Sequence, residues 1–106
     1  MYYNERICKE NLWIEKDGSL AAIGITKEFE NKIGDIIIFE YMKKNGYVQE
    51  GDRIARIETI NNEYFLNSPY SGYIMKYNYK LESDPSLINI YPEEIEILII
   101  DTKSLI

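Results

Sequence analysis

Apolar residues recur along this chain at strand-like spacing, in runs of strand length that turn-forming residues interrupt at regular intervals. That pattern constrains the fold more than any other feature, because alternation of period two suits a pleated strand with one buried face. "NLWIEKDGSLAAIGIT" reads as strand, turn at Asp17-Gly18, strand. Thr26 is placed to cap a helix of two turns through "KEFENKI", with Glu28 in the first turn and Gly34 as the stop. "DIIIFEYM" is a nearly continuous β-branched run, which predicts a strand covered on both faces, followed by a turn at Asn45-Gly46. "EGDRIARIETI" and "EYFLNSPYSGYIMKY" flank the polar pair Asn61-Asn62. Ile54, Ile57 and Ile60 are expected to meet Tyr64, Leu66, Tyr73 and Met75 across that turn, with Gly51 and Gly72 each preceding a strand. Ser83 or Asp84 is placed to cap a second short helix with Pro85 at its first position, and "EIEILII" reads as the last strand. Many short strands with two brief helices predict a mainly β chain, a small β-sandwich or flattened barrel forming a single domain over residues 1–106.

Composition removes several function classes. A chain of 106 residues with 18 acidic and 12 basic side chains carries a net charge of −6, a field that repels phosphate backbones and anionic lipid surfaces. Nucleic acid and membrane are therefore not expected partners. The absence of histidine removes the commonest general base and the commonest zinc ligand, so no Ser/His/Asp or Cys/His nucleophile is available. A single cysteine, Cys8, has no partner for a disulfide or a metal site and is read as a small apolar filler in the first strand. "MYYNERICKE" has no apolar signal-peptide core and no run approaches membrane-spanning length, so the expected location is the cytoplasm.

Five segments, in order and at nearly constant spacing, resemble the glycine cleavage H proteins of the lipoyl/biotinyl-carrier family. "KENLWIEKDGSLAAIGIT" is similar to the family's Lys-Glu-His-Glu-Trp opening and Val-Gly-Ile-Thr strand, through Lys9, Glu10, Trp13, Gly24, Ile25 and Thr26. "IGDIIIFE" is similar to its Leu-Gly-Asp-Val strand, and Gly51 falls at its glycine before the modified hairpin. "ETIN" and "SPYSG" resemble its Glu-Ser-Val-Lys and Ser-Pro-Val-Ser-Gly elements through Glu58, Ser68, Pro69, Ser71 and Gly72, and "LESDPSLIN" resembles its Leu-x-Asp-x-Pro-Glu-Leu-Val-Asn segment. The resemblance implies the barrel-sandwich hybrid fold and a carrier rather than an enzyme. In that family the lysine three residues after the glutamate forms an amide with lipoic acid, whose arm carries an aminomethyl group between partner enzymes.

Here that position is Asn61. A carboxamide nitrogen is delocalised into its carbonyl and is no nucleophile, so no lipoate is expected, and no catalytic, cofactor or metal residue is assigned. The hairpin context is Glu58, Asn62, Glu63 and Gly72. Other departures touch docking: Asn11 and Leu12 replace the family's His-Glu, Pro92-Glu93-Glu94 replaces a Gly-rich turn and a second tryptophan, and the chain reaches "DTKSLI" where most members carry a C-terminal helix. The leading reading is a non-enzymatic protein-binding or regulatory module that docks on glycine-cleavage or lipoate-handling enzymes. Two alternatives stand beside it: an active lipoyl carrier modified at Lys43, Lys44, Lys76 or Lys80, and a small-molecule binder using the former arm cleft, lined by Tyr and Ile. The Tyr64, Phe65, Tyr70, Tyr73, Tyr77 and Tyr79 set is read first as strand packing and second as a binding patch. Glu58 and Glu63 are read as solvated charges, Asn61-Asn62 as a turn pair capping its own backbone, Trp13 as a core anchor, and Glu28-Glu30 and Glu93-Glu94 as chance neighbours.

Overall fold

The computed structural model describes residues 5–103; the first four residues of the polar N-terminal stretch and residues 104–106 of "DTKSLI" lie outside them. Within that span the chain runs β1 (Arg6–Lys9), β2 (Leu12–Asp17), β3 (Leu20–Ile25), α1 (Lys27–Ile33), β4 (Ile36–Tyr41), β5 (Gly46–Val48), β6 (Arg53–Thr59), β7 (Glu63–Asn67), β8 (Gly72–Tyr77), α2 (Ser86–Ile90) and β9 (Leu98–Asp101). Two antiparallel sheets result, one ordered β1-β2-β3-β9-β8-β5 and the other β4-β6-β7. They face each other without closing into a barrel. Leu12, Ile23, Ile25, Val48, Ile74 and Ile100 from the larger sheet meet Phe39, Tyr41, Ile54, Ile57 and Leu66 from the smaller one. The predicted mainly β sandwich is thus the observed architecture. No helix among the described residues is long and apolar enough to cross a membrane.

The first hairpin turns at Gly18 and Ser19, one place later than expected, with Asp17 opposite Leu20. Thr26 caps α1 by accepting the Phe29 N–H at 3.2 Å, and Gly34 ends it, its N–H donating to Glu30 O. That short helix buries Phe29 and Ile33. Gly46, expected in the turn with Asn45, is instead the first residue of β5, and β5 pairs with β8 rather than β4, so residues 42–45 carry the chain from one sheet to the other. α2 begins one residue later than predicted, with Pro85 itself at the N-cap. Neither Ser83 nor Asp84 caps it: the Ser83 hydroxyl donates to Lys80 O, and the Asp84 carboxylate accepts from the Ser86 hydroxyl. The last strand is shorter than "EIEILII"; only Leu98–Asp101 pair, because Glu94 and Ile95 instead donate their N–H groups to Tyr91 O.

The expectation that "DIIIFEYM" is covered on both faces is corrected. Ile36, Phe39 and Tyr41 are buried while Ile37 and Ile38 are exposed, since the register shifts between Ile36 and Ile38 and turns two successive residues outward. A shift between Arg53 and Ala55 likewise lets Ile54 and Ala55 both point inward. A third, between Ile74 and Lys76, leaves Met75 and Lys76 both exposed. "EYFLNSPYSGYIMKY" is therefore two strands in two sheets, broken at residues 68–71, and Tyr73 and Met75 face solvent instead of packing under the hairpin. Gly72 is where β8 presses on β9: a Cβ there would overlap the Asp101 carbonyl.

Trp13 is buried, but on the face of β2 opposite Leu12, apart from the core between the sheets. It lies over Gly24, where any Cβ would overlap the indole. Its Nε1–H donates to Pro92 O at 2.9 Å, Arg6 stacks 4.0 Å from the ring centroid, and the Arg6 guanidinium donates to Glu93 O at 2.7 Å. The Pro92-Glu93 segment is thus held against the indole on this face. Cys8 is corrected too: β1 is an exposed edge strand, so the thiol faces solvent and fills nothing.

Candidate functional site

The hairpin β6–β7 carries the residues that the sequence singles out. Glu58 and Glu63 are the last cross-strand pair, and beyond them the chain reverses over Thr59–Asn62. Alternation would bury every second residue to the end, and Thr59 is the last that turns inward; Ile60, expected to pack, is 80% exposed at the apex. Asn61 stands beside it in solvent. The turn closes through Thr59 N–H donating to Asn62 O at 2.9 Å, with the Thr59 hydroxyl 3.3 Å from both the N and the O of Asn62. Neither asparagine has a positive φ, so the pair is not there for left-handed backbone, and the cap is Thr59 rather than an asparagine side chain.

Glu58 and Glu63 are not simply solvated. Two like charges directly opposite on one face destabilise a hairpin unless something sits between them. Arg56 does: its guanidinium donates to Glu40 at 3.1 Å and Glu63 at 3.0 Å and lies 3.5 Å from Glu58. Those carboxylates, Glu40 first, raise the Arg56 pKa further above its ordinary value. Sequence reasoning missed this clamp, although Arg56 lies two residues before Glu58 and so on the same face. The result is an acidic neck beneath an apex that offers an isoleucine and a carboxamide. At the far end of the hairpin, Gly51 N–H donates to Ser68 O and Ser68 N–H to Asp52 O, so the "SPYSG" corner is tied to the start of β6.

The remaining candidates scatter. Lys43 Nζ donates to Tyr47 O at 2.7 Å and Lys44 pairs with Glu82 at 2.8 Å, both away from the apex. Lys76 lies in β8 and Lys80 in the turn that follows. The tyrosine set divides: Tyr64 packs edge-on against Phe29, Phe65 lies under Arg53, Tyr70 lies under Lys9 and Lys16, Tyr77 packs edge-on against Tyr41, and Tyr73 and Tyr79 are exposed. They form no single patch. Among the described residues, no three His, Cys, Asp or Glu side chains gather as a metal cage.

Among the described residues, two cavities of ligand size stand out. One of about 400 Å³ lies between the β1–β2 turn and α1, with Cys8, Asn11, Thr26 and Phe29 in its wall, so that Asn11 lines a cleft while Leu12 enters the core. The other, of about 500 Å³, is the one walled by tyrosine and isoleucine; it lies between the end of β8, α2 and the approach to β9, and contains no hairpin residue. Sequence reasoning placed no site there.

The sequence profile of the glycine cleavage H-protein family matches residues 1–102. The glycine cleavage system H proteins of two Staphylococcus epidermidis strains are 34% and 33% identical over 86 residues, which cover 81% of this chain and 68% of theirs. A crystal structure of a glycine cleavage system H protein from Mycobacterium marinum superposes with a TM-score of 0.82 at 20% identity, over 98% of this chain and 88% of that one.

Proposed function

The chain belongs to the glycine cleavage H-protein family, and on that premise we propose that it is a non-enzymatic, protein-binding member that no longer carries lipoate. The observation that carries the reading is the apex of the β6–β7 hairpin. Its exposed position three residues after Glu58 holds the Asn61 carboxamide, which has no free amine to acylate. An exposed turn on a scaffold is where a swinging arm must be tethered, and Arg56 ties the strands beneath it together through Glu40 and Glu63. The scaffold for presentation is present; the acceptor is absent. Modification at another lysine is disfavoured by placement. Lys43 and Lys44 are held by hydrogen bonds, and Lys76 and Lys80 belong to the opposite sheet and its turn.

What remains at the apex is a surface for contact: Ile60 exposed above the carboxylates of Glu58, Glu63 and Glu40. The partners on this reading are glycine-cleavage or lipoate-handling enzymes that recognise the family's hairpin, in the cytoplasm. The test is intact-mass spectrometry after co-expression with a lipoate ligase. The native chain is expected at its unmodified mass, and the Asn61→Lys variant with one lipoyl group added. A lipoyl group on the native chain refutes loss of the carrier role. An unmodified Asn61→Lys chain refutes retained recognition of the hairpin.

A further inference from the structure

The 500 Å³ cavity is independent of the hairpin, and its walls are built rather than incidental. Asn78 is pinned on three sides: its N–H lies 3.1 Å from the buried Tyr41 hydroxyl, its carbonyl 3.1 Å from the same oxygen, and its Nδ2 donates to Glu96 O at 3.3 Å. The adjoining wall, hydrogen-bonded to Asn78, is fixed by Glu94 and Ile95 donating their N–H groups to Tyr91 O at 3.1 and 3.0 Å. Leu87 and Ile95, half-buried and packed on the core, make the floor. Tyr79 and Tyr91 stand exposed at the rim.

Charge is distributed across this space in a definite way. Lys76 and Lys80 come from β8 and its following turn, Glu94 and Glu96 from the approach to β9, and all four line the cavity. None of the four makes an ion pair among the described residues, although every one has an opposite charge in the same lining. A volume of this size falls in the roughly 300–1,000 Å³ range of small-molecule sites, where an apolar floor supplies affinity and a few polar groups set orientation. We infer that this cavity binds a zwitterion with a large apolar or aromatic body, an α-amino acid of the phenylalanine type. The lysines receive its carboxylate, the glutamates its ammonium, and Leu87, Ile95 and the tyrosine rings its side chain. A simple carboxylate meets the acidic wall and a chain of net charge −6, and a simple amine meets the two lysines; only a ligand carrying both charges satisfies both walls. This site lies beyond the apex reading and does not depend on it, since the lining shares no residue with the hairpin.

The test is a titration of the ¹⁵N-labelled full chain, followed by amide shifts, with three probes: L-phenylalanine, 3-phenylpropanoate and phenethylamine. L-Phenylalanine is expected to give saturable shifts confined to residues 76–80, 87 and 91–99, with a dissociation constant of about 1 mM or tighter. Each one-charge analogue should bind at least about tenfold more weakly. Lys76→Gln with Lys80→Gln should weaken L-phenylalanine and 3-phenylpropanoate and tighten phenethylamine, and Glu94→Gln with Glu96→Gln should weaken L-phenylalanine and phenethylamine and tighten 3-phenylpropanoate. All four side chains are exposed, so these variants retain the fold. Absence of saturable shifts, shifts centred elsewhere, analogues as tight as L-phenylalanine, or variants without these opposed effects would each overturn the assignment.

Discussion

Tyr41 joins the smaller sheet to the turn that walls the charged cavity, and replacing it by phenylalanine isolates a single hydroxyl. The ring is buried and sits edge-on between Phe39 and Tyr77 at centroid distances of 4.9 and 5.3 Å, contacts that phenylalanine keeps. The hydroxyl lies 2.8 Å from Ile97 O and 3.1 Å from both Asn78 O and Asn78 N. One proton serves one carbonyl at a time, and the Asn78 N–H retains Ile97 O at 3.3 Å. Tyr41→Phe therefore strands about one buried acceptor, a loss of about 1–3 kcal/mol. At about 2 kcal/mol a domain of this length should melt roughly 8–12 °C lower. Urea unfolding should show a lower midpoint at unchanged slope. Tyr77→Phe, half-buried beside it, should stay within about 0.5 kcal/mol of the native chain. A pH series adds a second signature. Burial raises the Tyr41 pKa above its ordinary 10.0, so the folded state holds the proton after the unfolded chain has released it. That contribution is intact below pH 10 and is lost as pH rises beyond it, so the native chain should converge on the variant in alkali. A stability change below about 0.5 kcal/mol, or a gap that widens above pH 10, would refute this account of the turn.

Three further outcomes follow from the geometry. Gly72→Ala places a Cβ on the Asp101 carbonyl and must push β8 from β9, a cost of about 1–3 kcal/mol or more by urea midpoint, whereas the exposed Met75→Ala on the same strand should be near neutral. Arg56→Ala leaves Glu58 and Glu63 opposed with Glu40 beside them; the loss of stability should be largest at low salt and shrink with added salt or at a pH that protonates the carboxylates, as read by thermal melts. The Lys44 ammonium first, and the Tyr41 N–H second, hold the Glu82 carboxyl below its ordinary value of 4.5. Its contribution is present above that pH and lost as pH falls through the lower folded value, so native and Glu82→Gln chains should differ in melting temperature near neutrality and converge in acid.

Where chemistry was local, the sequence was readable. Thr26 and Gly34 bound α1 because a hydroxyl before the helix and a glycine after it act on their own backbone, and the apex was placed by the polar pair Asn61-Asn62 between two strand-like runs. Where the outcome depended on a partner strand, it was not. "IIIFEY", "RIARIET" and "GYIMKY" each break alternation by one residue, and such a break reads equally as a strand buried on both faces or as a bulge. The pairing across the sheet decides, and here it chose the bulge every time. The bulge in β8 is also what turns Lys76 to the same side as its cross-strand neighbour Ile99, beside the cavity that both line. The cavity was illegible for the same reason as the bulges: its walls come from segments 76–80, 87 and 91–99, which no local pattern brings together. The neck of the hairpin is the intermediate case. Arg56, Glu58 and Glu63 are near in sequence, and period two alone puts Arg56 and Glu58 on one face, but that Glu63 joins them requires the register that a four-residue reversal imposes. A one-residue change in that loop would send Glu63 to the core face and Tyr64 to solvent. The length of the turn around Asn61 therefore sets both the acidic neck and the Phe29–Tyr64 contact that anchors the hairpin to α1.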